Sequence, residues 1–258
     1  MTLEPYYETE NGKLYLGDCL EVMEHLIAKG IKVDAIITDP PYGTTNSNCD
    51  KRIPIPEMWN CINRLLKGTF TPIILFGAEP YSSMLRLSND TYKYDWKYIK
   101  THPKGHLNAN KQPLRDIEDI LVFYEEQCLY NPQMSSGHKR KVVKAKHKKG
   151  KSYEGYNSFD NHSDYDSTER YPTQVLIYGF EVGERTGHPF QKPKELISDL
   201  VKTYTNEFEL VLDFTSGSGT TAEVCEILNR KWICIELDKY NCDLTVKRLQ
   251  NIQQILDL

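Results

Sequence analysis

The chain has 258 residues and a formal net charge of −4, enough length for one large domain with a substantial core, and its overall charge argues weakly against a polyanionic partner. The seven cysteines (Cys19, Cys49, Cys61, Cys128, Cys225, Cys234, Cys242) are odd in number and include no C-x-x-C pair. Neither a metal site nor a disulfide framework is therefore expected, and a reduced cytoplasmic setting fits better. The N-terminus lacks a basic and apolar leader, and no apolar run approaches membrane-spanning length.

Lys13-Leu14-Tyr15-Leu16 predicts a short strand ending at Gly17-Asp18, and Leu20, Met23 and Ile27 then recur at helical spacing. Asp18 suits the N-cap of that helix, with Glu21 completing a capping box, and capping accounts for Asp18 as well as a ligand contact does. Val33-Asp34-Ala35-Ile36-Ile37 is a short β-branched run that predicts a buried strand. It leads into Thr38-Asp39-Pro40-Pro41-Tyr42, where two prolines stop the ladder because neither has a backbone N–H to donate. The strand thus ends in a carboxylate, a stiff carbonyl-bearing turn and an aromatic ring, at the end where open α/β sheets bind ligands. Asp39 and the Pro40 carbonyl suit the two hydrogens of an amino group on a flat heterocycle. Tyr42 suits its ring face, a role that needs the ring and not the hydroxyl.

Residues 43–57 are polar with two prolines and predict a loop; Trp59, Ile62, Leu65 and Leu66 mark the apolar face of a helix. Residues 72–76 predict a buried strand, Met84, Leu85 and Leu87 a short helix, and residues 92–99 and 117–124 two more strands that pair as an antiparallel edge. Composition then shifts: residues 138–151 hold eight of the 32 basic residues and no acidic one, which leaves 24 basic against 36 acidic elsewhere. Tyr153, Tyr156, Phe159, Tyr165 and Tyr171 follow. An internal basic run interleaved with aromatics in an acidic chain favours nucleic-acid phosphate contacts through Lys139, Arg140, Lys141, Lys144 and Lys146 over a merely solvated loop.

A helix is expected after Pro193, then the strand Leu210-Val211-Leu212-Asp213. Gly217-x-Gly219-x-x-Ala222 follows that strand and opens a helix, the context in which glycines let a ligand approach a helix N-terminus. Glu236 ends the next strand 17 residues after Gly219, where an acid holds ribose hydroxyls. A nicotinamide enzyme is one alternative, but only about 40 residues follow the glycine loop, so the remaining strands must come from the N-terminal half. The absence of G-x-x-x-x-G-K-[ST] disfavours a P-loop enzyme. An amino-group acceptor beside a nucleoside cofactor, without redox or phosphate-transfer machinery, points to methyl transfer.

In this combination and order the motifs resemble those of the S-adenosylmethionine-dependent DNA amino-methyltransferases of the permuted (β) group, adenine-N6 type. Asp39-Pro40-Pro41-Tyr42 resembles their catalytic motif, and Leu16-Gly17-Asp18 the acidic motif at the cofactor's adenine. Trp96, Lys100, Arg115 and Glu118 lie in a region like the one that packs around the target base. His188-Pro189-Phe190-Gln191-Lys192-Pro193 resembles the motif that opens the cofactor-side helix. Asp213, Thr215, Gly217, Ser218, Gly219, Thr220 and Thr221 fall in the cofactor loop, with one departure: Phe214-Thr215 stands for the family's Pro-Phe, so Thr215 replaces the phenylalanine in register.

The resemblance implies an α/β fold: a Rossmann-like, doubly wound, mostly parallel sheet with an antiparallel edge strand, a circularly permuted motif order and an inserted recognition segment. The expected divisions are 1–126 for the catalytic half, 127–187 for target recognition and 188–258 for the cofactor half. S-adenosyl-L-methionine is the implied cofactor, bound also by Asp18, Gln191, Lys192 and Glu236. Double-stranded DNA is the implied partner, with the target base flipped. The implied source is a prokaryote or phage. A homodimer and a cognate restriction endonuclease stay open. So do transfer to cytosine N4, RNA or a protein amide, and a catalytically inactive nucleic-acid-binding relative.

Overall fold

The structure is a computed structural model that describes residues 3–44, 50–143, 164–188 and 190–256, with side chains to residue 252. Lys144, Lys146, Tyr153, Tyr156, Phe159 and Pro189 lie outside the described residues. The chain divides into a larger unit, Met1–Asn131 with Gln174–Leu258, and a smaller one, Pro132–Thr173. Residues 127–131 and 174–187, expected with the insert, thus cluster with the larger unit.

The larger unit is built on a nine-stranded sheet in the order β1-β2-β11-β10-β3-β4-β6-β5-β9. The strands are β1 (Tyr7–Glu8), β2 (Gly12–Leu16), β3 (Ala35–Thr38), β4 (Ile73–Gly77), β5 (Tyr92–Lys104), β6 (Arg115–Phe123), β9 (Val175–Tyr178), β10 (Leu210–Asp213) and β11 (Lys231–Glu236). The central run from β2 to β4 is parallel. β6 runs antiparallel to both β4 and β5, as the lack of a helix between residues 99 and 117 suggests. β9 adds a parallel strand outside β5, so the antiparallel pair lies one strand in from that edge. β9 is only four residues long and its burial alternates, which leaves little sequence signal to find it by.

Alternation along the strands separates two apolar layers. Ile37, Val211, Trp232 and Cys234 face the layer covered by α4 (Lys194–Tyr204), α5 (Thr220–Ile227) and α6 (Lys239–Leu256). Ile36, Leu212, Ile233 and Ile235 face the layer covered by α1 (Cys19–Ala28), α2 (Ile55–Leu65) and α3 (Tyr81–Leu87). Neighbouring residues of one strand are therefore both buried, on opposite faces, which is why the parallel strands read as continuous apolar runs. Each such Leu or Ile removed from water contributes ~1.5–3 kcal/mol. The short helix expected around Met84, Leu85 and Leu87 is α3; Tyr81, Ser82 and Leu85 are buried, whereas Met84 and Leu87 are 39% and 89% exposed. The helix starts three residues before Met84, and the 100° step per residue turns Met84 and Leu87 outward.

In the smaller unit, β7 (Lys141–Val143) pairs antiparallel with β8 (Tyr165–Ser167). Arg140 forms a two-pronged ion pair with Asp166, and Arg170 donates to the Lys139 carbonyl. Among the described residues of both units, no helix is long and apolar enough to cross a membrane.

Candidate active site

The carboxyl ends of β2, β11, β10, β3, β4 and β5 open into one cavity of about 1280 Å³ within the larger unit. A parallel sheet aims these ends the same way, so residues far apart in sequence converge there. Asp18, Asp39, Tyr42, Lys192, Asp213 and Glu236 all line it.

Asp39 lies just past the end of β3. Its Oδ1 accepts the Tyr42 hydroxyl at 2.5 Å, and its Oδ2 contacts the Lys192 ammonium. Burial pushes the Asp39 carboxyl up, and Lys192 and Tyr42 pull it back toward the ionised form. For Lys192, burial works against the charge, but Asp39 and Glu118 outweigh it and hold the ammonium above the usual lysine range. The Lys192 Nζ is 3.5 Å from Glu118 Oε2 and 4.9 Å from the centre of the Phe76 ring. Glu118 also contacts Lys100. Burial opposes its charge, and the two lysines keep it below the usual carboxylate range. Two carboxylates and two lysines therefore form one partly buried cluster of paired opposite charges.

Sequence reasoning placed Lys192 on the cofactor flank; the structure also puts it on Asp39. Tyr42 likewise does more than offer a ring. One face stacks on the buried Tyr81, with centroids 5.6 Å apart at 27°, and its hydroxyl orients Asp39. Trp96, grouped with Lys100 and Glu118 by resemblance, sits elsewhere: it is buried and donates its Nε1 to the Tyr204 hydroxyl at 2.7 Å. It precedes Lys100 by four residues on β5, roughly 13 Å deeper at ~3.3 Å per residue.

The other flank is the loop after β10. Asp213 accepts from the hydroxyls of Thr38 at 2.8 Å and Thr221 at 2.6 Å, and from the backbone N–H of Thr215 at 3.2 Å. Burial pushes its carboxyl up to about 6, against the pull of these donors. Thr215 shares a 2.6 Å hydrogen bond with Thr38, and Phe214 stays in the core at 1% exposure. The substitution of Thr215 for phenylalanine thus trades an apolar wall for a polar tie to β3. Ser218 and Thr220 are turned inward to Arg248, whose guanidinium donates to the Ser218 carbonyl and the Thr220 hydroxyl, both at 3.1 Å. Gly217 and Gly219 hold φ of 53° and 77°, and a Cβ at Gly219 would meet Thr245 at 2.4 Å.

Glu236 Oε2 accepts from the Gly217 N–H and Oε1 from the Asp238 N–H, each at 2.8 Å. Asp18 caps α1 through Oδ1, which accepts from Leu20 and Glu21. Because β2 and β11 pair in register at Leu16 and Glu236, these two acids end neighbouring strands. Gln191 is engaged within its own loop, accepting from Thr186 and donating to the Glu184 carbonyl. His188 went unassigned in the sequence reading. Its Nδ1 is buried and has no hydrogen-bond partner among the described residues, beside Gly217. Lys51, Arg52, Lys104 and Arg115 also line the cavity and come from three separate segments, so no run of charge announces them.

This arrangement has recognisable relatives. A family model for DNA methylases of the N6 and N4 types matches residues 33–247. The Type II methyltransferase M.BamHI of Bacillus amyloliquefaciens is 26% identical over 266 residues; the alignment takes in 96% of this chain but 59% of M.BamHI. Among solved structures, the M1.HpyAVI–SAM complex superposes with a TM-score of 0.63 at 21% identity, covering 92% of this chain and 99% of that one. The cytosine-N4-specific PvuII DNA methyltransferase superposes at 0.66 with 17% identity, covering 95% and 88%. These superpositions show a shared fold. The family match runs from the strand before Asp39 to the helix beyond Glu236, taking in both flanks of the cavity, and the chain belongs to the DNA methylase family of N6 and N4 methyltransferases.

Proposed function

We propose that the protein transfers a methyl group from S-adenosylmethionine to the exocyclic N6 of adenine within a specific duplex DNA sequence, with the target base flipped out of the helix. The observation that carries this reading is the placement of Asp39, oriented by Tyr42, in the same cavity as the glycine loop and Glu236. The residues suit a nucleoside cofactor. Asp18 and Glu236 present carboxylates at adjacent strand ends, Gly217 and Gly219 keep the loop low, and the unpartnered His188 Nδ1 is a buried polar atom that a polar ligand would satisfy. Glu236 and Asp18 would hold hydroxyl and amino groups of the cofactor, whose sulfonium supplies an electrophilic methyl group.

The chain's own residues do the rest. Tyr42 faces the flipped base while Tyr81 backs it, which fixes the plane of the ring. Asp39 and the Pro40 carbonyl accept the amino hydrogens, so the nitrogen lone pair turns toward the methyl group. Pro41 keeps that turn rigid. The Asp39 charge stabilises the positive charge that develops on nitrogen. Asp213, Thr215, Ser218, Thr220 and Thr221 act by shaping the loop, and Gln191 by holding the segment that carries Lys192. Lys139, Arg140 and Lys141 of the smaller unit, with Lys144 and Lys146 from the same basic run, supply phosphate contacts.

Cytosine N4 is the second reading. It presents the same amino group to the same acceptors, and the PvuII enzyme of like fold is cytosine-N4-specific. Mass spectrometry of nucleosides from DNA methylated by the purified protein separates the two. N6-methyladenine is expected; N4-methylcytosine would keep the mechanism and overturn the base, and no methylated base would overturn the function.

A further inference from the structure

The geometry points to Lys192 as a positioning residue that is handed from Asp39 to Glu118 when the target amino group enters, an inference that rests on the amino-group methylation proposed above. In the structure the ammonium sits on Asp39 Oδ2, the carboxylate assigned to the target. An incoming amino group therefore meets an acceptor already shared with a cation. As positive charge grows on the target nitrogen, an ammonium held beside the same carboxylate opposes it.

A second acceptor is in place. Glu118 Oε2 is buried and, among the described residues, is held only by a long ion pair with Lys192 Nζ at 3.5 Å, without a hydrogen bond of ordinary geometry. Buried carboxylate oxygens are normally hydrogen-bonded at closer range, so one that has only this long contact marks where a shift of the shared lysine has most to gain. A shift of roughly 1 Å brings the ammonium into hydrogen-bond range of it. The surroundings suit a short move. Lys192 rides over the Phe76 ring and precedes Pro193 at the start of α4, while Lys100 anchors the other Glu118 oxygen and keeps that carboxylate in place. Tyr42 stays on Asp39 Oδ1, so the catalytic carboxylate keeps its orientation when the lysine leaves. Before the base arrives, Lys192 favours the ionised form of Asp39 against the effect of burial; afterwards Glu118 takes the cation and Oδ2 is open to the amino group.

A double-mutant cycle tests this, with transfer of tritiated methyl groups to unmethylated duplex DNA as the rate and calorimetric S-adenosylmethionine affinity and melting temperature as structural readouts. Glu118→Gln is expected to lower kcat about tenfold or more, with the DNA KM and cofactor affinity within about twofold of wild type. Lys192→Met is expected to lower kcat as well. In the Lys192→Met background, Glu118→Gln should produce no further fall, because nothing remains to be handed over. Multiplicative losses, or a Glu118→Gln enzyme with wild-type kcat, overturn the handover. A crystal structure of the wild-type enzyme with S-adenosylhomocysteine and a duplex carrying its mapped site reads the same event without substitution. Lys192 on Glu118 supports the proposal, and Lys192 still on Asp39 refutes it. A wild-type enzyme that methylates no DNA refutes the underlying function instead, so the two failures are distinct.

Discussion

Asp39 and Asp213 stand at the ends of neighbouring parallel strands, joined through Thr38, and yet their surroundings differ in kind. Asp213 is buried among hydroxyls and a backbone N–H, with no cation on it; its donors belong to the strands and loop that it ties together. Asp39 is ringed by a lysine, a second carboxylate and a phenol, and its side chain is still 22% exposed to the cavity. Hydrogen bonds from fixed hydroxyls serve a carboxylate whose task is to stay where it is. On the handover proposed above, an exchangeable ammonium serves one that must change partners. On the proposed function, the same residue type at the same end of the sheet is structural on one strand and chemical on the next.

The largest expected effect breaks this contrast at Asp39. Asp39→Ala should reduce methyl transfer by ~10²–10³-fold, the usual loss for a transition-state hydrogen-bonding group. Calorimetry should show S-adenosylmethionine binding preserved, because the cofactor flank is untouched. A fully active variant would remove Asp39 from the chemistry.

The second prediction concerns Asp213 and stability. Its folded-state carboxyl is raised from 3.8 to about 6, so the folded protein holds this proton longer than the unfolded chain does. The stabilisation from that proton is complete below about pH 4 and lost as pH rises through about 6, by ~3 kcal/mol. Asp213→Asn cannot ionise and should lack this loss. Denaturant unfolding at pH 4 and pH 7 should therefore show wild type falling relative to the variant. An unchanged difference would mean that Asp213 titrates like an ordinary aspartate.

Tyr42→Phe is expected to be milder. It keeps the ring against Tyr81 and removes one hydrogen bond to a carboxylate, worth ~1.5–3 kcal/mol, so kcat should fall by roughly ten- to a hundredfold. Wild-type kcat in this variant would return Tyr42 to a stacking role alone. The smallest effect concerns the smaller unit: neutralising Lys139 and Lys141 should flatten the salt dependence of DNA binding by about one unit of log–log slope per lost phosphate contact. Arg140 is engaged with Asp166, so Arg140→Gln should change the slope less than either lysine unless DNA displaces that pair.

What the sequence by itself determined are the features that local chemistry dictates. The apolar runs before Asp39 and Asp213 form parallel neighbours, because both faces of each strand must be buried and only a central position does that. The prolines after Asp39 and the glycines after Asp213 mark where those strands end, since one residue type cannot pair and the other can turn. Tertiary structure alone decided who meets whom beyond the strand ends. Lys192 follows Asp39 by 153 residues and Glu118 by 74, and it reaches both because α4 begins over the ends of β3 and β6. The scattered cations Lys51, Arg52, Lys104 and Arg115 are gathered at one cavity in the same way. The β9 strand, too short and too exposed to signal itself, is held by its pairing with β5. Periodicity and turn chemistry act over a few residues and so can be read along the chain; ion pairs act through space, and only the fold sets those distances.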